Sequence, residues 1–410
     1  MGPRLAGLPV ESDLKGHRDG THRVVAPERT LERILPLMPR TGITRLADLT
    51  GLDRLDIPVF AATRPNSRSL AVFQGKGVTP AAAKVSALME AIETYCAETA
   101  TPPLRLASLR EIARVGDVAD VAALPRSSAR SLDPDEAILW TAATDVATGA
   151  HAFVPFEMAH ANYALSDAAG QGPFAANTNG LASGNTFAEA LAHALYELIE
   201  RDGVALWSLS DARARAAAAL DLASVESAMA RDLLARFDEA GIDVGLWDAS
   251  SDIGLPVFQC LVADREETGI DPEIGSGCHP SREVALVRAL TEAAQSRATW
   301  ISGARDDFEP DDYRAAARAR RRATSRAWLE AKGRVRYADM PDIEQDGIAD
   351  DLAQTLLRLA RVGAPRVLAL DLTRADLGVP VVRAIVPGLE GLYQLDGHVP
   401  GARGRRRASQ

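Results

Sequence analysis

Asn177-Thr178-Asn179-Gly180-Leu181-Ala182-Ser183-Gly184-Asn185 leads straight into Thr186-Phe187-Ala188-Glu189, and the same run later reaches Glu197-Leu198-Ile199-Glu200-Arg201-Asp202. Gly180 and Gly184 let backbone N–H groups come close to a ligand. Thr186 and Glu189 have the spacing of a capping box, so a helix starts here. Leu191, Ala194, Leu195 and Leu198 recur on one face and predict its buried side. A loop entering a helix N-terminus favours an anion. Glu189 and His193 share the broad polar face, followed by the Glu197/Glu200 pair and Arg201.

The same design occurs twice more. Residues 57–61 and 70–73 read as strands, followed by a turn, Gln74-Gly75-Lys76-Gly77. Thr79 then caps a helix with Pro80 at its first position. Val85, Leu88, Ile92 and Cys96 form its apolar stripe, while Ser86, Glu90 and Glu93 stand at i, i+4, i+7 on one face. Further on, a turn at Gly275-Ser276-Gly277 precedes a helix from about Ser281 to Ile301, with Arg288, Glu292 and Gln295 on one face. Arg297 points roughly 170° from that row, and a structural ion pair explains it as readily as a ligand contact. Each cluster alone is ordinary: carboxylates are usually solvated, and a lone histidine is usually structural. Together, two E-x-x-E helices can jointly hold magnesium ions that bridge phosphates, with Lys76 and the arginines on the phosphate oxygens. No P-loop, G-x-G-x-x-G after a strand, H-E-x-x-H or G-x-S-x-G is present.

Around these units the pattern is α/β: mixed sheets flanked by helices. Residues 27–38 read as a short helix that Pro36 ends or kinks. Residues 244–247, 256–262, 366–371 and 380–386 read as strands and 349–362 as a helix, with a charged helical excursion at 307–340. Residues 1–25 read as a loose, flexible leading segment, 26–403 as one large domain, and 404–410 as a mobile basic tail. Subdomain boundaries are expected near residues 70, 205 and 305, giving 26–70, 71–205, 206–305 and 306–403. The chain has 410 residues and a formal charge of −10, which argues against nucleic acid as the main partner. Cys96, Cys260 and Cys278 are scattered, without metal or disulfide spacing, as expected in a reducing cytoplasm. No apolar run has the length of a membrane helix, and the leading segment lacks a signal-peptide core. Only four residues are lysines, so Lys76 in a Gly-rich turn stands out.

Three segments resemble the YcaO family: Ala83-Lys84-Val85-Ser86-Ala87-Leu88-Met89-Glu90-Ala91-Ile92-Glu93, the run from Asn179 to Asp202, and Thr291-Glu292-Ala293-Ala294-Gln295-Ser296-Arg297. The resemblance covers roughly residues 20–403. It implies a YcaO-type fold whose three Gly-turn and helix units converge on an ATP site without a Walker motif. By the same resemblance Glu90, Glu93, Glu197 and Glu200 are magnesium ligands and the catalytic centre. Ser86, Asn179, Gln295 and Arg201 are nucleotide contacts, and Arg23 and Thr30 lie in the stretch that closes over the nucleotide. Lys76, Asn185, Arg288 and Arg297 complete the expected cofactor-binding set. Thr94 stands where relatives often carry Arg.

Family chemistry activates a peptide backbone amide. A nucleophile adds to the carbonyl, ATP phosphorylates the resulting oxygen, and phosphate leaves. A side-chain nucleophile gives an azoline ring, external sulfide a thioamide, and an amine an amidine. The chain lacks the Pro-x-Pro-x-Pro tail of many ring-forming members. Its segment from Arg40 to Gly51, Arg64 to Ser67 and Gln74 to Gly77 resembles the branch that occurs with a TfuA partner, linked to thioamidation. Thioamide formation is therefore the first expectation, azoline formation by a cyclodehydratase the second, and a non-catalytic ATP-binding accessory protein the third. A peptide or protein substrate, a TfuA-type or leader-binding partner and a homodimer are also implied. His193 and Glu390 are the candidates for a base.

Overall fold

The computed structural model describes residues 14–126, 130–165, 170–174, 176–266, 270–305, 314–391 and 399–409. Parts of the expected leading segment, of the Gly/Ser/Asn-rich stretch, of the charged excursion and of the run before the tail lie outside them. The helices are α1 (Pro27–Ile34), α2 (Met38–Thr41), α3 (Pro80–Glu98), α4 (Leu109–Val115), α5 (Phe187–Ser208), α6 (Ala212–Ala217), α7 (Ala228–Glu239), α8 (Arg282–Ser302), α9 (Ala315–Leu329), α10 (Ile348–Arg361) and α11 (Ala402–Ala408). The strands are β1 (Arg45–Asp48), β2 (Val59–Thr63), β3 (Val72–Lys76), β4 (Arg105–Ser108), β5 (Ala137–Asp145), β6 (His151–Pro155), β7 (Leu181–Ser183), β8 (Ile242–Asp248), β9 (Val257–Asp264), β10 (Glu273–Cys278), β11 (Leu368–Asp371) and β12 (Val381–Ile385).

They form three antiparallel sheets: β1-β2-β3, β10-β9-β8, and a larger one in the order β4-β5-β11-β12-β7 with β6 beside β5. The α/β expectation holds, with antiparallel pairing throughout these sheets. The boundary expected near residue 70 falls between the paired strands β2 and β3, and the one near 205 falls inside α5. One core packs α3 against β2, β3 and β5, a second surrounds α5, and a third fills the space between α7, α8 and the β8-β9-β10 sheet.

The Gly-rich turns expected before α3 and α8 are strands. A Cβ on Gly75 of β3 would lie 2.0 Å from Ala87 N, and one on Gly275 of β10 would lie 2.3 Å from Ala293 N. These glycines therefore permit close contact between a strand and the helix that follows it. Ala83, Ala87, Ala91, Ala285, Ala289 and Ala293 keep the opposing helix faces equally thin. This places the last strand residues directly beside the polar helix rows. Val85, expected in the buried stripe of α3, is half-buried at the cleft.

The described parts of the leading segment and of the tail are more tightly held than expected. In the described part of the leading segment, Lys15 pairs with buried Asp351 at 2.7 Å, and His17 and Arg23 bond backbone to backbone. At the other end the tail forms α11. Arg403 donates from Nε and Nη2 to fully buried Asp202, each at 2.9 Å. Glu390 accepts from Gly401 N at 2.8 Å and Gly404 N at 2.7 Å, fastening the start of α11. Among the described residues no helix is long and apolar enough to cross a membrane.

Candidate active site

Thr79 caps α3 by accepting from Ala82 N, and Thr186 caps α5 by accepting from Glu189 N. The Glu189 carboxylate, expected to reach back to the cap, takes the N–H groups of Asn185 at 3.1 Å and Val24 at 3.0 Å instead. It thereby ties the leading segment to α5. Lys76 bonds Glu292 on α8 at 2.5 Å. Two residues earlier on β3, the Gln74 carbonyl faces Gln295, and its side chain faces Thr299. β3 runs back along α3, so α3 and α8 start on the same side. α5 follows suit, since His193 lies near Arg23 and feels Arg288, while Glu200 meets Ser276 of β10. The three polar rows thus line one cleft of about 640 Å³.

Of the residues expected to hold metal and nucleotide, all line this cleft except Asn179 and Arg297. Its middle holds both Glu pairs. Glu93 accepts from Ser183 Oγ at 2.7 Å, and Glu200 accepts from Ser276 Oγ at 2.8 Å and pairs with Arg201 at 3.1 Å. Glu197 accepts from Gly180 N at 3.2 Å and faces Arg201 at 3.4 Å. Toward the helix starts lie Ser86, Arg288, Arg23 and Thr30, whose hydroxyl donates to Asn185 at 2.8 Å.

Burial pushes the Glu90 carboxyl up to about 7, against the nearby charges of Lys76 and Arg305. Glu93 is driven well above its ordinary value by burial and by Glu90 and Glu197, although Ser183 opposes the shift. Burial and Glu200 also raise Glu197, against Arg201. Glu292 goes the other way: burial would raise it, but Lys76 and Arg201 hold it at about 2. Arg201 is half-buried, and Glu200, Glu197 and Glu292 fix its charge more firmly against the cost of desolvation. The middle of the cleft therefore sets crowded carboxyl groups beside fixed cations, an arrangement that a divalent cation would relieve.

This has a consequence for pH. Glu90, Glu93 and Glu197 bind protons more tightly in the folded chain than in the unfolded one. The folded state then carries extra protons from the ordinary carboxylate range upward, to about 7 for Glu90, and stability falls as pH rises through that window. His160, His193 and His279, whose rings burial holds below their ordinary value, contribute with the opposite sign up to the ordinary histidine range. The carboxyl contribution is therefore read as the difference in melting temperature between wild type and a Gln variant across about pH 5 to about pH 8 in the metal-free protein. Glu93→Gln, which mimics the protonated group, should flatten the slope. Equal slopes for wild type and Glu93→Gln in scanning calorimetry would contradict the shift at Glu93.

Asn179 and Arg297 depart from expectation. Asn179 is buried beside the cleft, its N–H turned to Asn177 and its Oδ1 without a partner. Arg297 is fully buried on the far side of α8, bonded to Asp53 at 2.8 Å and Asp264 at 3.1 Å. The candidate bases also change. His193 Nε2 is engaged by Arg23, and burial together with Arg23 and Arg288 keeps its ring neutral. Glu390 lies at α11, outside the residues lining the cleft.

Ser183 and Ser276 were missed in the sequence, although their recurrence as Ser183-Gly184 and Ser276-Gly277 is a signal. Arg383 was also missed. Fully buried, it donates to Met158 O at 2.8 Å, and burial lowers it to about 10 against the Glu197 charge.

The family model described as YcaO cyclodehydratase, ATP- and Mg2+-binding, matches residues 74–390. An uncharacterised protein in the tfuA 3′ region of Rhizobium leguminosarum bv. trifolii is 37% identical over 396 residues, 93% of this chain and 92% of its own. The structure of YcaO from Methanopyrus kandleri bound with AMPPCP and Mg2+ matches with a TM-score of 0.76 at 26% identity, covering 94% of this chain and 96% of that one. A heterocyclase in complex with substrate and cofactor matches with a TM-score of 0.79 over 97% of this chain. This chain spans 56% of that one, and at 24% identity the likeness is one of fold.

Proposed function

The chain belongs to the YcaO family, and on that premise we propose that it activates a backbone amide of a ribosomally made peptide, using ATP and Mg2+, to form a thioamide. The observation that carries the reading is the convergence of the α3 and α5 Glu pairs with Lys76, Arg201 and Arg288 in one cleft. Bound ATP and Mg2+ supply phosphoryl transfer to the amide oxygen, which turns that oxygen into a leaving group.

The residues fit these groups. Glu90, Glu93, Glu197 and Glu200 give hard oxygen ligands suited to Mg2+. Among the described residues no three His, Cys, Asp or Glu side chains form a cation site by themselves. Phosphate oxygens would supply the remaining ligands, as expected where metal and nucleotide bind together. Nε of Arg201 and of Arg288 is buried without a partner, which suits cationic groups waiting for an anion. Ser183 and Ser276 hold Glu93 and Glu200 in position. Arg23, Thr30, Ser86 and Asn185 hold the nucleotide where the helices start, Lys76 and Arg288 take phosphate oxygens, and Gln295 stands past the Glu pairs.

The relative in a tfuA region supports the thioamide outcome and a TfuA-type partner. The test incubates the protein, that partner, ATP, Mg2+, sulfide and candidate peptides, and reads product mass. A change equal to oxygen replaced by sulfur is expected. Loss of one water indicates azoline formation instead. ATP binding with no peptide modified by any candidate would favour the accessory role.

A further inference from the structure

We propose that Gln74 is the residue that receives the reacting amide, and that the arm of the cleft past the Glu pairs holds the peptide backbone. The inference deepens the function proposed above and rests on it.

The two arms of the cleft differ in chemistry. Toward the helix starts it is lined by Val78, Val85 and Val287, with Thr30 and Ser86 hydroxyls and the Arg23 and Arg288 cations. Apolar wall, hydroxyls and guanidinium groups suit a base, a ribose and the nearer phosphates. Past the Glu pairs the lining changes to Gln74, Gln295, Thr299, Trp300 and Glu273, with Arg305 at the edge. Burial drives the Glu273 carboxyl well above its ordinary value. Carboxamides, a hydroxyl, an indole and a carboxyl group form a weak phosphate site. They form a good site for a neutral backbone, whose amide offers one donor and one acceptor.

Within this arm Gln74 is only 3% exposed. One end of its carboxamide is bonded by the Thr299 hydroxyl, and its Nε2 has no partner. Turning the carboxamide round would leave the oxygen unpaired instead, so in both orientations one polar atom of Gln74 stands without a bond. A buried group in that state is costly unless a ligand completes it. Its place is fixed on both sides: Gly75 packs directly on α3, and Lys76 is held by Glu292. Gln74 and Glu90 line the same cleft, which sets this carboxamide near the metal-binding row. A backbone amide bonded to Gln74 would therefore lie between the Glu pairs and the open end of the arm.

The test uses wild-type protein with 15N-labelled glutamine, reading side-chain NH2 signals by NMR. The Gln74 and Gln295 signals are assigned by their loss in Gln74→Glu and Gln295→Glu or, where a variant does not fold, in Gln74→Asn and Gln295→Asn, and the titration itself is read on wild type. AMPPCP with Mg2+ is added first, then N-acetylglycine N-methylamide as a minimal backbone amide. A saturable shift of the Gln74 signal with the amide probe, and little shift with AMPPCP–Mg2+ alone, is expected. A Gln74 signal that moves with AMPPCP–Mg2+ and ignores the amide probe overturns the proposal, since this arm would then hold nucleotide. A Gln74 signal that ignores the amide probe in nucleotide-loaded protein overturns the peptide subsite alone. Absence of any AMPPCP–Mg2+ binding, checked by calorimetry on the same sample, overturns the proposed function and this inference with it.

Discussion

Glu93→Gln is expected to lower ATP turnover on the order of 1,000-fold or more, and to do so without unfolding the protein. The substitution keeps the shape of the side chain and its acceptor for the Ser183 hydroxyl, which bonds Glu93 at 2.7 Å. It removes the charge that a magnesium ion needs. Because burial and neighbouring carboxylates keep Glu93 protonated well above the usual range, the metal-free fold loses little in the exchange. Denaturant midpoints should match wild type or exceed it. Phosphate release and calorimetric titration with ATP, with and without Mg2+, give the functional readout. Glu200→Gln, across the cleft and held by Ser276, should lose turnover likewise. Full turnover by either variant would remove that residue from the metal site.

Arg297→Met is expected to have the opposite profile, a loss of about 3–5 kcal/mol of stability with nucleotide affinity kept in the protein that still folds. The guanidinium is fully buried and joins Asp53, before β2, to Asp264, at the end of β9. Without it Asp53 remains a nearly buried carboxylate that has lost this partner, whereas Asp264 keeps Arg54 at 2.8 Å. An urea denaturation curve measures the loss, and calorimetry with ATP at low temperature measures affinity. Weakened binding without lost stability would return Arg297 to the nucleotide site.

The two variants separate what helix periodicity can say from what it cannot. Ser86, Glu90 and Glu93 share a face by spacing alone, as do Arg288, Glu292 and Gln295, and the structure places both rows in the cleft. The same arithmetic already set Arg297 on another face, but its membership in a motif kept it among the candidates until burial and its two carboxylate partners decided the matter. Asn179 is expected at the site from the family resemblance alone, and a resemblance in a Gly-rich run says little about which of its side chains turns inward. The Gly-rich segments themselves read as turns because glycine is common in turns. Gly75 and Gly275 serve close packing instead, which depends on the alanine faces of helices eight or more residues later.

Sequence by itself determined the three polar helix rows, the caps at Thr79 and Thr186, and the class of chemistry that paired carboxylates beside cations can support. Those features are local, set by residues within a few turns of one helix. Tertiary structure decided which rows share a cleft, that Ser183 and Ser276 hold the carboxylates, and that the ends at Lys15 and Arg403 are fastened. It also left one end of the Gln74 carboxamide unpaired beside the Glu pairs. Each of these joins residues far apart in the chain, and burial and charge pairing at such contacts exist only once the sheets bring the helices together.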